Sequence, residues 1–310
     1  VIAVFLQTLP FFGIIGLGYG AARIRFFGPD ATAALTRFVF YFALSALLFR
    51  FSANLSLGQV WDGPFVLAYL CGTGAIYALA TVVAMARGLP VAEAAVEAQV
   101  AVIGNVGFLG IPMLTLLLGE AAIGPIMLVL SVDLIVFGSL IVILITGSRD
   151  GRIHAGVLAT VGLGLLRNPM IVSIVLGLTV SALALPVPDP LNAFVTLLGG
   201  AATPGALFAI GASLAAKSAE RVSVALWLSA AKLLLHPVAV AAFALLVFDV
   251  ALAAAAVMIA AAALPVAGNV YMLAQHYGVA AARVSAAILV TTTFSIVTIS
   301  TVVALTAPLR

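Results

Sequence analysis

Charged residues are so sparse along this chain that they act as punctuation between long apolar runs. Taken between charged or Gly/Pro-rich breaks, those runs predict helices over 2–22, 31–51, 63–86, 92–117, 121–146, 168–185, 190–215, 221–247, 251–275 and 281–306. A helix needs about 20 mostly apolar residues to cross the hydrocarbon of a bilayer, and nearly every run meets that length. The first, Val1 to Ala22, lacks the basic lead and small-residue cleavage site of a secretory signal and reads as a membrane helix. The expected fold is therefore an all-α integral membrane protein with ten transmembrane helices. Between the fifth and sixth runs, the stretch Ile153 to Leu166 is amphipathic, Gly-rich and too short to span, which places it at the membrane interface.

Composition agrees: 65% of residues are hydrophobic and 7% charged, where an ordinary soluble domain carries about 25% charged residues. Spans consume most of the chain, so only short connections remain and a separate soluble domain has no room. A net charge of +3 without a basic, aromatic-interleaved helix argues against a nucleic-acid partner. The lone Cys71 lies inside an apolar run and reads as packing.

The few charges are ordered. Arg23 and Arg25, then Arg87, then Arg149, Arg152 and Arg167, then Lys217 and Arg221, then Arg283 fall on alternate connections, while Asp62, Glu120, Asp189 and Asp249 occupy the others. Cytoplasmic loops collect Lys and Arg, so both termini are expected outside and the central loop inside. An internal repeat accompanies this pattern. Leu35-Thr36-Arg37-Phe38-Val39 resembles Leu191-Asn192-Ala193-Phe194-Val195, and Gly104-Asn105-Val106 returns as Gly268-Asn269-Val270. Five helices per copy, an odd number, make the two copies inverted. The division is residues 1–147, a cytoplasmic connecting loop over 148–167, and residues 168–310.

Chemistry points to the same two places. The fourth helix contains Gly104, Asn105, Gly107, Gly110 and Pro112, and the ninth contains Pro265, Gly268 and Asn269. Glycine and proline in mid-span break a helix. A broken helix frees backbone groups that hydrocarbon cannot satisfy, so they must face protein, water or ligand. Half-helix N-termini suit a carboxylate, and their C-terminal ends and carbonyls suit a cation. Asn105, Gly104, Pro112, Asn269, Gly268 and Pro265 are accordingly the candidate substrate-binding residues. The alternative for each is a packing kink.

Charged residues within spans are the second clue, because each is costly there. Asp133 in the fifth helix is a candidate ion carrier, substrate contact or structural partner of a basic side chain. Lys232 and His236 share one face of the eighth helix, with Lys232 able to neutralise Asp133 or attract an anion. Arg37 lies within snorkelling range of the cytoplasmic end of its helix and reads as interfacial. Glu93 and Glu97 read as acids favoured at a helix N-terminus. His154, His236 and His276 have no metal-ligand spacing, and phosphate-binding loops and nucleophile motifs are missing, so neither an enzyme nor a metal or organic cofactor is expected. Coupling to H+ or Na+ stays open.

These motifs resemble a known family. Asn105-Val-Gly-Phe-Leu-Gly-Ile-Pro112, Arg167-Asn168-Pro169, Phe208-Ala-Ile-Gly-Ala-Ser-Leu214, Lys232 to Pro237, Leu264-Pro265-Val-Ala-Gly-Asn269 and Gln275-His-Tyr277 look like the auxin efflux carrier family over essentially the whole chain. Its bacterial members are described as malonate or other organic-acid permeases, and its plant members include the PIN-FORMED auxin exporters. The resemblance implies an inverted-repeat fold related to bile-acid symporters and sodium/proton antiporters. In it, helices 1, 2, 6 and 7 form a scaffold, helices 3–5 and 8–10 move, and helices 4 and 9 cross at the site. It further implies a homodimer in a bacterial inner membrane. Asn105 matches the position that contacts the substrate carboxylate, and Pro112 and Pro265 match the crossover prolines. Asn269 beyond the second proline, and the lack of a long central hydrophilic loop, depart from the plant pattern. The expected function is alternating-access transport of a small organic anion, with a sodium/proton antiporter using Asp133 as the alternative.

Overall fold

The computed structural model of the protein describes residues 2–54, 62–150, 155–215 and 222–306. Arg152, His154, Lys217 and Arg221, which the charge and histidine readings used, lie outside the described residues. Among those described, the chain is helical throughout, in the order α1 (Ile2–Arg23), α2 (Pro29–Ala53), α3 (Gly63–Ala86), α4 (Val91–Val102), α5 (Val106–Leu118), α6 (Glu120–Ser148), α7 (Ala155–Arg167), α8 (Pro169–Ala182), α9 (Asp189–Leu214), α10 (Ser223–Val247), α11 (Leu252–Ala262), α12 (Gly268–Tyr277) and α13 (Ala281–Thr306). Six of these, α2, α3, α6, α9, α10 and α13, are long and apolar enough to cross a membrane. The predicted helices over 92–117 and 251–275 are each divided, into α4 and α5 and into α11 and α12.

The connection read as carrying an amphipathic interfacial segment is helical over most of that segment. α7 occupies Ala155–Arg167, and its last turns meet α8 at a 70° bend. The cause is local. Asn168 is extended, as a residue before proline must be, and its Oδ1 accepts the Met170 N–H at 3.0 Å while Pro169 opens α8. Several helices also contain wide, π-type turns: Val39–Ala43 in α2, Val106–Gly110 opening α5, Asp133–Phe137 in α6, and both Ala231–Leu235 and Phe243–Val247 in α10. Each such turn inserts a residue and re-aims the face that follows.

Packing sorts the helices into two groups. α1 runs along the second half of α9, and α2 packs on α8 and on the first half of α9; α3 packs on α4 and α10, α4 on α6, and α10 on α11 and α13, while α1 also packs on α13 and joins the two groups. Lipid tails are as apolar as leucine, so close backbone approach, not hydrophobicity, holds such pairs together, and glycine provides it. A Cβ on Gly18 would stand 2.1 Å from the Phe208 carbonyl oxygen, and one on Gly211 would stand 1.9 Å from that of Ile15. Leu17, Leu197 and Leu246, more than half exposed, face outward, whereas α11 is buried along nearly its whole length.

At one end of the second group, Glu93 and Glu97 do more than favour a helix N-terminus. Arg283 of α13 pairs with both, and Arg87, just after α3, pairs with Glu97. Glu97 is 1% exposed, a position a carboxylate tolerates only when paired. The network ties α3, α4 and α13 together.

Gly211→Val should therefore force α1 away from α9 and cost about 1–3 kcal/mol or more. Thermal unfolding in detergent measures this, with Gly13→Ala, which meets no atom within 4 Å, as the tolerated control. Equal melting temperatures would contradict the close approach.

Candidate functional site

The site begins with two interruptions that repair one another. Residues 103–105, between α4 and α5, run antiparallel to residues 263–267, between α11 and α12, with Gly104 opposite Val266. The Asn105 N–H donates to the Pro265 carbonyl at 2.8 Å, and the Ala267 N–H donates to the Ile103 carbonyl at 3.1 Å. The Val266 N–H donates to Thr291 Oγ1 of α13 at 3.2 Å. Local chemistry explains the breaks: Pro265 has no N–H with which to continue α11. Gly104 is needed for closeness, since a Cβ there would lie 3.2 Å from the Ala261 carbonyl oxygen and 3.3 Å from Leu264 Cβ.

The hydrogen-bonded register places Gly104 against Val266, two residues out of step with the sequence match that pairs Asn105 with Asn269. By backbone position, Asn105 corresponds to Ala267. Both asparagines nevertheless line one cavity of about 1160 Å³.

That cavity lies between the two helix groups. Asn105 and Phe108 come from the start of α5, and Gly268 and Asn269 from the start of α12; Thr36, Arg37 and Phe40 come from α2, and Arg23 and Arg25 from the end of α1 and the turn after it. Asn105 is buried, and Asn269 Oδ1 is buried without a hydrogen-bond partner among the described residues. The first N–H groups of a helix have no carbonyl within it, so the openings of α5 and α12 supply further donors and partial positive charge. The described lining holds three arginines and neither aspartate nor glutamate. Arg37, read from sequence as interfacial, is thus part of the cavity wall.

Of the candidate residues, Asn105, Gly268 and Asn269 line the cavity, whereas Gly104 and Pro265 build the crossing. Pro112 does neither. It sits in the regular part of α5, beyond the wide turn Val106–Gly110, in which the Asn105 carbonyl accepts the N–H groups of both Leu109 and Gly110.

Asp133, Lys232 and His236 gather beside the crossing, away from the cavity lining. A Cβ on Gly104 would lie 3.4 Å from Lys232 Nζ. The ammonium donates to the carbonyl of Ala262, the last residue of α11, and lies 3.1 Å from His236 Nδ1. A cation here complements the negative end of α11. With Lys232 charged, His236 Nδ1 accepts and the ring proton is on Nε2, 3.0 Å from Thr73 Oγ1. Asp133 Oδ1 accepts the Tyr69 hydroxyl at 2.8 Å, while Oδ2 has no partner among the described residues. Asp133 and Lys232 are not in salt-bridge contact and influence one another only through space. All five side chains are buried. Tyr69 and Thr73 were not singled out from sequence, although their four-residue spacing puts both polar groups on one face of α3.

Apolar helices around two mutually repaired breaks, with a basic cavity on one side and a buried polar cluster on the other, define a multi-pass integral membrane protein with a polar interior site. Residues 3–303 match the model of the membrane transport protein family. The chain belongs to that family, the auxin efflux carriers that its motifs resemble. It is 32% identical over 299 residues to the "Putative malonate transporter" of Rhizobium meliloti (strain 1021), covering 94% of this chain and 92% of the relative.

Tyr69→Phe would leave buried Asp133 without its hydrogen bond, and should lower stability by about 1–3 kcal/mol. Unfolding of the purified variant in detergent measures the loss; an unchanged melting temperature would remove Tyr69 as the group that holds the carboxyl.

Proposed function

We propose that the protein is a secondary transporter of a small organic anion, a carboxylate of the malonate type, working by alternating access. The observation that carries this reading is the cavity: among the described residues three arginines and no acid line it, and it reaches Asn105, Asn269 and the openings of two half-helices. These groups are donors or cations, the set that a carboxylate requires. The relative's name supplies the dicarboxylate candidate.

In this reading α4 with α5, and α11 with α12, each make one span. Together with α1, α2, α3, α6, α8, α9, α10 and α13 they form ten helices in two inverted five-helix repeats, with α7 at the interface. The group of α1, α2, α8 and α9 is the scaffold and the pairing surface of a homodimer, and the other group carries the crossing past it, elevator fashion. Arg23, Arg25, Arg87 and Arg283 mark the cytoplasmic side, so both termini lie outside the bacterial inner membrane and the cavity is open inward.

A sodium/proton antiporter centred on Asp133 is the competing reading, favoured by the unpartnered Oδ2. Against it, half-helix C-terminal carbonyls are where a coupling cation binds in such folds, and at the end of α11 the Lys232 ammonium already holds the Ala262 carbonyl.

Purified protein in proteoliposomes should accumulate labelled malonate without sodium. Asn105→Ala and Asn269→Ala should each cut initial uptake at least about tenfold while keeping their gel-filtration profile. Sodium-dependent proton movement that Asp133→Asn abolishes, without malonate flux in the wild type, would replace this reading by the antiporter.

A further inference from the structure

We infer that Arg37 recognises the second carboxylate of a dicarboxylate substrate, and so makes the cavity select dianions over monoanions. The inference rests on the anion-transport reading above. α2 starts at Pro29, and Arg37 lies about 12 Å further along its axis at 1.5 Å per residue, well inside the helix. Arg23 and Arg25, by contrast, belong to the end of α1 and the turn that follows, where basic residues are ordinary.

Arg37 is connected to the crossing by a continuous wall. Phe40, three residues on and on the same helix face, stacks on Phe108 with ring centroids 6.4 Å apart and planes 11° from parallel. Phe108 lies in the wide turn that Asn105 opens. Arg37, Phe40, Phe108 and Asn105 all line the cavity, so a guanidinium on one helix group and neutral amide donors on the other are joined by an aromatic surface.

The guanidinium is also uncommitted. Arg87 and Arg283 are bound to carboxylates, whereas Arg37 makes no ion pair or side-chain hydrogen bond with the described residues. An arginine offers a planar fork of donors that matches a carboxylate, and one that meets no acid among the described lining has that fork free for a ligand. The two ends of the wall divide the work. Amides and half-helix N–H groups at the crossing hold one carboxylate, the aromatic surface covers the short carbon chain, and Arg37 holds the other carboxylate. A monoanion satisfies the crossing and leaves Arg37 without a partner.

Binding of malonate and of its monomethyl ester, which keeps one free carboxylate, tests this by titration of the melting temperature and by competition against labelled malonate uptake. The wild type should prefer malonate by roughly tenfold to a hundredfold. In Arg37→Gln the preference should collapse toward unity, through loss of malonate affinity with ester affinity kept; Arg37→Lys, which keeps the charge but not the fork, should fall between. Equal affinity for diacid and ester in the wild type, or an unchanged preference in Arg37→Gln, would overturn the role of Arg37. The variants are compared after gel filtration, and if Arg37→Gln fails to fold, Arg37→Lys carries the comparison. Failure of the wild type to bind or move either compound would instead strike the anion-transport reading itself, which separates the two.

Discussion

Two backbone hydrogen bonds, from Asn105 to Pro265 and from Ala267 to Ile103, are the constraint on which the rest of this structure depends. Hydrocarbon has nothing to offer a freed N–H or C=O, and each unsatisfied group costs several kcal/mol. A single interrupted helix in such a bundle would carry that cost alone. Two interruptions laid antiparallel satisfy one another, with Thr291 supplying the remaining acceptor for Val266. The crossing therefore requires a residue without a side chain at Gly104, which lies close against Ala261 and Leu264, and a residue without an N–H at Pro265, where α11 has to stop.

The crossing also separates charge. The helices that leave it, α5 and α12, start at the arginine-lined cavity, where Asn105, Phe108, Gly268 and Asn269 form part of the wall. Of the helices that arrive, α11 turns its final carbonyl to Lys232. A cation at a helix C-terminus and anion-seeking groups at helix N-termini are both what the helix dipole favours. His236 stands beside the Lys232 side chain and the Ala262 carbonyl, with its other ring nitrogen 3.0 Å from Thr73 Oγ1, while Tyr69 donates to Asp133 nearby. Wide turns at Val106–Gly110, Asp133–Phe137 and Ala231–Leu235 coincide with Asn105, Asp133 and Lys232, so the helices depart from regularity where their polar side chains must be aimed.

Around this centre the two helix groups differ in how they cohere. α1 and α9 are held by glycine contacts at Gly18 and Gly211, whereas α3, α4 and α13 are also joined by the Arg87, Glu93, Glu97 and Arg283 network. The cavity opens between the groups, lined by side chains from both.

Length and apolarity of the runs determined by themselves that the chain is a helical membrane protein, because continuous apolar runs of about 20 residues suit a spanning helix and are about twice what a barrel strand needs. The Gly and Pro clusters marked where α4 and α11 end, since those residues act on their own backbone. The sequence also singled out Asn105, Asn269, Asp133, Lys232 and His236, polar groups that are costly to place in a span. It did not show that Pro112 stands apart from the crossing or that Gly104 faces Val266 and not Gly268. Only the tertiary structure decided those points, and only it brought Arg37 into the cavity and Tyr69 and Thr73 to the buried charges. The reason is that register, facing and pairing are set by contacts between residues far apart in the chain, on which local periodicity and composition carry no information.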